Sequence, residues 1–177
     1  MSKISLFYTN QNIKMNQTEL TELVLGLKDK GLTVAFAESC TAGMLASEFV
    51  KAKGSSDVLK GSLVVYQPSV KQKLLGVKKE TLDLYTAESQ QVTNEMVMGL
   101  KKALDADISI ATTGLAGPGA SENEEKPVGT MFVSFLYDGK AEEFREVFKG
   151  NTESIRKQLV EFIFKKLKGV LEQHYDR

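Results

Sequence analysis

Apolar positions along the chain alternate between helical and extended spacing, with glycine, proline or acidic turns between them. From Thr18, the residues Leu20, Leu23, Val24 and Leu27 recur at helical spacing, and Lys30-Gly31 supplies a cationic last turn and a stop. Leu32 to Ala37 is a short β-prone run that passes through Glu38-Ser39-Cys40-Thr41 into the helical pattern Leu45, Phe49, Ala52, predicting strand, tight turn, helix. Gly54-Ser55-Ser56-Asp57 is expected as a loop and Gly61 to Tyr66 as a second strand. Pro68 suits the first turn of a short helix carrying Val70, Lys71 and Leu74. Val92, Met96, Leu100 and Ala103 mark a longer helix, followed by a strand from Ile108 to Thr112 that runs into Gly114. Val128 to Tyr137 is a long β-rich run, Asp138-Gly139 a hairpin signal, and Glu142 to Phe148 the partner strand. A last helix opens near Thr152 with Ile155, Leu159, Phe162, Ile163 and Leu167 on one face.

Helices before, between and after about five strands predict a three-layer α/β/α sandwich, because a central sheet must be covered on both faces. The hairpin makes the sheet mixed. Residues 16–177 are expected to form one domain, with residues 1–15 an amino-terminal extension that is disordered or precedes an alternative start at Met15. The stretch Ser121 to Glu125 is the candidate for a mobile loop.

Composition narrows the chemistry. With 23 basic and 23 acidic residues among 177 there is no net charge, hence no electrostatic case for a nucleic-acid partner. Neither a secretory signal nor a membrane span of ~20 apolar residues is visible, so a cytoplasmic protein without membrane partners is expected. One cysteine, Cys40, and one histidine, His174, exclude an internal disulfide and a zinc site of the usual Cys/His type, so no metal is expected. His174 lies three residues from the end of the sequence, a poor place for a general base, and a Ser-His-Asp triad is not expected.

In open α/β sheets, ligands bind beyond the carboxyl ends of strands, where helix amino termini offer free N–H groups. Three segments end there: Glu38 to Thr41, Tyr66 with Lys71, and Thr113-Gly114-Leu115-Ala116-Gly117-Pro118-Gly119. Helix capping is the ordinary role for Ser39 and Thr41. A serine at such a turn can also attack a carbonyl while neighbouring N–H groups stabilise the oxyanion. Lys71 is either a solvated helix lysine or a general base, the latter requiring its pKa to fall from ~10.4 to around 7 or 8 through burial or nearby positive charge. Cys40 is either a small buried residue, its ordinary role, or a nucleophile. The glycine-rich stretch matches neither a Walker loop nor a dinucleotide fingerprint, and is either a flexible turn or a set of N–H groups around a phosphate.

The order and wording of these segments resemble the CinA carboxy-terminal domain family, the nicotinamide-nucleotide amidases. Ala37-Glu38-Ser39-Cys40-Thr41-Ala42-Gly43 is similar to the family's AESCTGG, Tyr66 to Val77 to its YSNEAKxxLLGV, and Thr113 to Thr130 to its TGxAGP followed by KPVGT. Gly54-Ser55-Ser56 and Phe148-Lys149-Gly150 also fall in family order, so the resemblance spans about residues 16 to 170.

The resemblance implies hydrolysis of nicotinamide mononucleotide to nicotinate mononucleotide and ammonia, with no cofactor, by a protein that is a homodimer. It implies Ser39 as nucleophile, Lys71 as its base and Tyr66 as a neighbour in the catalytic group. Substrate contacts are implied for Thr41, Thr113, Gly114 and Gly117, and by extension along the motifs for Glu38, Cys40 and Gly119. Ala42 stands where glycine is usual, Pro68 where Asn is usual, Ala120-Ser121 near the usual Gly-Gly, and Thr152 in place of the arginine of the usual GDR. Arg156, one helical turn on, is the candidate replacement cation. These departures keep two alternatives open, a non-catalytic nucleotide-binding module and an amidase for a related amide.

Overall fold

The computed structural model describes residues 15–175. All of the expected amino-terminal extension except Met15 lies outside the described residues. Helix α1 (Gln17–Asp29) opens on a reciprocal cap, in which Asn16 Oδ1 accepts from Glu19 N–H at 3.0 Å and Glu19 Oε2 accepts from Asn16 N–H at 2.8 Å. Then follow β1 (Val34–Glu38), α2 (Met44–Phe49), α3 (Ser55–Val58), β2 (Leu59–Val64) and α4 (Pro68–Leu75), the last with proline in its first turn and Gly76 in a left-handed cap. The remaining elements are α5 (Lys79–Tyr85), α6 (Gln90–Leu104), β3 (Ile108–Gly114), β4 (Thr130–Tyr137), β5 (Lys140–Val147) and α7 (Thr152–Val170), which ends in a π-helical turn, Leu171–Tyr175.

The five strands form one mixed sheet in the order β2-β1-β3-β4-β5, with β2, β1 and β3 parallel and the β4–β5 hairpin antiparallel. Side-chain alternation divides the core. Val34 and Phe36 of β1, with Ile108 and Ile110 of β3, join α1, α2 and α7 on one face, where Phe36, Phe49 and Phe164 stack in succession. Seven buried apolar residues of α7 cover this face, each contributing roughly 1.5–3 kcal/mol of transfer free energy. Ala35, Ala37 and Ala111 point to the other face, where small side chains let α6 lie close.

Two details depart from the sequence expectation. The Gly54-Ser55-Ser56-Asp57 stretch winds into the single turn of α3 rather than a loop. Helix α5 was not anticipated: none of its residues is buried, and Glu95 of α6 grips its start through Lys78 N–H at 2.7 Å and Thr81 Oγ1 at 2.7 Å. With Leu82 alone packed on the core beside these polar clamps, there is no apolar period to read.

The connection from β1 runs to β2 over one face, and that from β2 returns past β1 to β3 over the other. The carboxyl ends of β1 and β3 therefore flank the crevice where the connections part, the expected ligand position in such sheets.

Candidate active site

Strand β1 ends in Glu38, which is fully buried and turns its carboxyl group forward under the following turn. Oε2 accepts from the N–H groups of Gly43 at 2.9 Å and Leu45 at 3.0 Å, and Oε1 from Ala46 N–H at 3.0 Å and Ser62 Oγ at 2.8 Å. Glu38 thus caps α2, a task that neither Ser39 nor Thr41 performs, since Gly43 is the N-cap and no side chain of the cap residue bonds there. Ala42 and Gly43 take positive φ, 52° and 97°, to make the turn this tight.

That construction lifts Ser39 to the crevice. Its N–H donates to Thr112 O of β3 at 3.2 Å, which fixes it beside the carboxyl end of the neighbouring strand. Lys71, fully buried on α4, reaches across: Nζ lies 2.9 Å from Ser39 Oγ, 2.6 Å from Val65 O and 3.1 Å from Tyr66 O. Burial lowers the Lys71 pKa from the usual 10.5 to about 8, against the opposing negative charge of Glu88. The three contacts fit both protonation states. An ammonium donates to all three oxygens, whereas a neutral amine has two N–H bonds for the two carbonyls and a lone pair left facing the serine hydroxyl.

The other residues singled out from the sequence divide into neighbours of the crevice and supports behind it. Tyr66 bonds to Lys71 through its carbonyl alone, while its side chain is 59% exposed. Cys40 is buried with its thiol 3.7 Å from Thr112 Oγ1, and loss of solvation pushes its pKa up to about 11. Its carbonyl accepts from Arg156 Nε at 2.7 Å, which fastens α7 to the turn. Thr41 is buried with Oγ1 unpartnered among the described residues. The N–H groups of Cys40 and Thr41 engage no other residue among those described.

Thr113 is fully buried and its hydroxyl meets Thr93 Oγ1 of α6 at 2.8 Å, so it holds helix to strand. A side chain at Gly114 would put its Cβ 2.6 Å from Thr130 O and against Met131 Sδ, so only glycine fits there. Gly117 packs on Thr152, whose hydroxyl would lie 3.0 Å from a Cβ at that position. The N–H of Gly119 is taken: Glu122 Oε1 accepts it at 2.6 Å and Oε2 accepts Ala120 N–H at 2.8 Å, which lowers the Glu122 pKa. His174 lies at the opposite end of the sheet, its ring tilted against that of Tyr137.

Sequence reasoning missed Glu88, Glu122 and the function of Lys126. Lys126 Nζ donates to Thr86 Oγ1 at 2.9 Å, Glu88 O at 2.9 Å and Ser121 Oγ at 2.8 Å, tying the stretch expected to be mobile onto the α5–α6 connection. Among the described residues no helix is long and apolar enough to cross a membrane, and no cluster of three or more His, Cys, Asp or Glu could hold a metal ion.

Known proteins share both the sequence and the fold. The CinA C-terminal domain matches residues 16–171. A CinA-like protein of Petrotoga mobilis is 37% identical over 175 residues, covering 99% of this chain and 43% of that protein. Another, from Thermotoga neapolitana, is 43% identical over 143 residues, covering 80% of this chain and 35% of its own length. The chain therefore spans about two fifths of the curated relatives it matches. Among solved structures, the competence damage-inducible protein A (ComA) of Klebsiella pneumoniae superposes with a TM-score of 0.84 at 31% identity, over 90% of this chain and 99% of that one. The competence/damage inducible protein CihA of Agrobacterium tumefaciens gives 0.82 at 31%, over 96% and 100%.

Proposed function

The chain belongs to the CinA C-terminal domain family, and on that premise we propose that it hydrolyses the carboxamide of nicotinamide mononucleotide, releasing nicotinate mononucleotide and ammonia. The observation that carries the reading is the buried amine of Lys71 at 2.9 Å from the Ser39 hydroxyl, with burial drawing its pKa down to about 8. Near neutral pH a usable fraction of such an amine is unprotonated and can take the serine proton.

In the proposed cycle, Ser39 Oγ attacks the carboxamide carbon as Lys71 removes its proton, and the carbonyl electrons move onto oxygen. The unengaged N–H groups of Cys40 and Thr41 stand next to the nucleophile, where they would stabilise that oxyanion. The Lys71 ammonium then protonates the departing nitrogen, ammonia leaves and an acyl ester on Ser39 remains. Water deprotonated by Lys71 attacks the ester, and the proton returns to Ser39 Oγ as the carboxylate is released. Tyr66 contributes its carbonyl, which with that of Val65 orients the Lys71 lone pair. Arg156 offers the positive charge that Thr152 cannot, although its Nε is already committed to the Cys40 carbonyl.

Incubation of the purified protein with nicotinamide mononucleotide should release ammonia and a product one mass unit heavier, and Ser39→Ala should abolish both. Unchanged release by Ser39→Ala defeats the reading. A related amide is favoured by one observation, the loss of an arginine at Thr152 beside Gly117. Product profiling against phosphorylated and unphosphorylated pyridine carboxamides separates the two.

A further inference from the structure

Glu88 belongs to no motif and to no step of the cycle above, yet its charge is felt at Lys71. It precedes Ser89, the N-cap of α6. Ser39 N–H donates to Thr112 O, the next residue on β3 is Thr113, Thr113 bonds to Thr93, and Thr93 Oγ1 donates to Ser89 O at 2.7 Å. This ladder brings the start of α6 to the same end of β3 as the nucleophile. From the far side the Gly117–Lys126 loop closes on Glu88: Ser121 Oγ donates to Glu88 Oε2 at 2.6 Å, and Lys126 donates to Ser121 Oγ and to the Glu88 carbonyl. The carboxyl group is half-buried and forms no ion pair among the described residues.

Its charge works against the base. Glu88 is the foremost group that raises the proton affinity of Lys71 while burial lowers it. The remaining groups about Lys71 are the Cys40 thiol, pushed up to about 11, and the carbonyls of Val65 and Tyr66. Around Glu88 the charged groups are Lys71 and Lys126. A negative charge beside an amine that must lose its proton slows catalysis unless a positive charge arrives with the substrate.

We infer that Glu88 is the counter-ion for a cationic acyl ring, receiving the quaternary ring nitrogen of an N-substituted pyridinium carboxamide. The inference rests on the amidase reading above and names the ring chemistry the site selects. Neutral aryl amides lose this contact and bind less well. A bound cation also offsets the field of Glu88 at Lys71, so the base gives up its proton more readily in the complex than in the free enzyme.

Glu88→Gln keeps an acceptor for Ser121 Oγ and nearly the same volume while deleting the charge. Binding is measured by calorimetry in Ser39→Ala and Ser39→Ala/Glu88→Gln, using nicotinamide mononucleotide and its dihydro form, whose ring is neutral. The expected result is an affinity for the cationic ligand about tenfold weaker in the double variant, and no change for the neutral one. In the Ser39 enzyme, the pH profile of kcat/KM should move to the acid side in Glu88→Gln, because the amine of the free enzyme loses the negative neighbour that raises its proton affinity. Equal effects on both ligands, or none, would overturn the inference, because a merely structural residue cannot sense ring charge. The outcomes separate from those of the parent reading: charge-selective binding without ammonia release removes the amidase and keeps the counter-ion, whereas ammonia release with charge-blind binding does the reverse.

Discussion

Two loops leave neighbouring strands at the same end of the sheet, and each is held by a glutamate that grips backbone N–H groups. After β1, Glu38 takes the N–H groups of Gly43, Leu45 and Ala46 from a position sealed from solvent. After β3, Glu122 takes those of Gly119 and Ala120 from the surface. The donors and acceptors are alike; the surroundings are not. Inside, water cannot replace a lost partner, so the first loop holds one shape and the nucleophile with it. Outside, water competes for the two bonds of Glu122, so that grip alone holds the second loop weakly and its anchoring falls to Ser121 and Lys126 on Glu88. In the proposed reading the nucleophile stands on the loop with the buried grip, next to a loop gripped only at the surface.

The contrast is open to attack, beginning with the largest expected effect. Lys71→Met should lower ammonia release on the order of 10³-fold or more while the far-ultraviolet circular dichroism is unchanged. The same variant tests the burial of the amine. Lys71 has a folded pKa of about 8 against 10.5 unfolded, so between these values the unfolded chain holds the extra proton and unfolding free energy rises with pH, by about 3 kcal/mol across the window. Below about pH 8 that contribution is absent. Urea titrations at pH 7.5 and 10 should show the rise in the native protein and lack it in Lys71→Met.

Next comes Glu38→Ala, which strands the N–H of Leu45 in the interior and those of Gly43 and Ala46 at its edge and should remove about 3 kcal/mol of stability, read from the urea midpoint. A loss below about 1 kcal/mol would mean that the turn relaxes to meet other acceptors. By contrast, Glu122→Ala should leave the urea midpoint where it is and change KM several-fold with kcat nearly constant, since it frees the loop without disturbing Ser39. A drop in kcat as large as that in kcat/KM would erase the distinction between the loops. Smallest is Ala42→Gly: a left-handed alanine costs about 1 kcal/mol, partly offset by the larger unfolded-state entropy of glycine, so a gain of about 0.5 kcal/mol is expected. Destabilisation would show that the alanine methyl is in contact with something that matters.

What could be read beforehand follows the same division. Apolar spacing is a record of burial, so the long helices, the five strands and the two-faced core were legible from positions such as Leu20, Leu23 and Leu27 or Ile155, Leu159 and Ile163. Helix α5 left no such record because Leu82 alone packs on the core and Glu95 holds the rest through polar atoms. At the site, the words around Ser39 and Lys71 pointed to a pair that the fold does bring within 2.9 Å. The duties of Glu38 and Thr113 were hidden because their partners are backbone N–H groups and a hydroxyl on a distant helix, neither of which leaves a pattern along the chain. Strand alternation was the available signal for Thr113, which shares the parity of Ala111 and therefore faces α6. Glu88 lies in a connection with no period at all.

The stretch between β3 and β4 begins and ends at a single point. Leu115 N–H donates to Thr130 O at 2.9 Å and Gly129 N–H to Leu115 O at 2.7 Å, and the two strands continue from there as antiparallel neighbours. Everything from 116 to 128 hangs from that knot, so it can lengthen, shorten or be exchanged for the corresponding piece of a relative without altering the distance any strand must travel. A change of length or sequence between those points is taken up at one seam, and the elements that carry the hydroxyl and the amine keep their places.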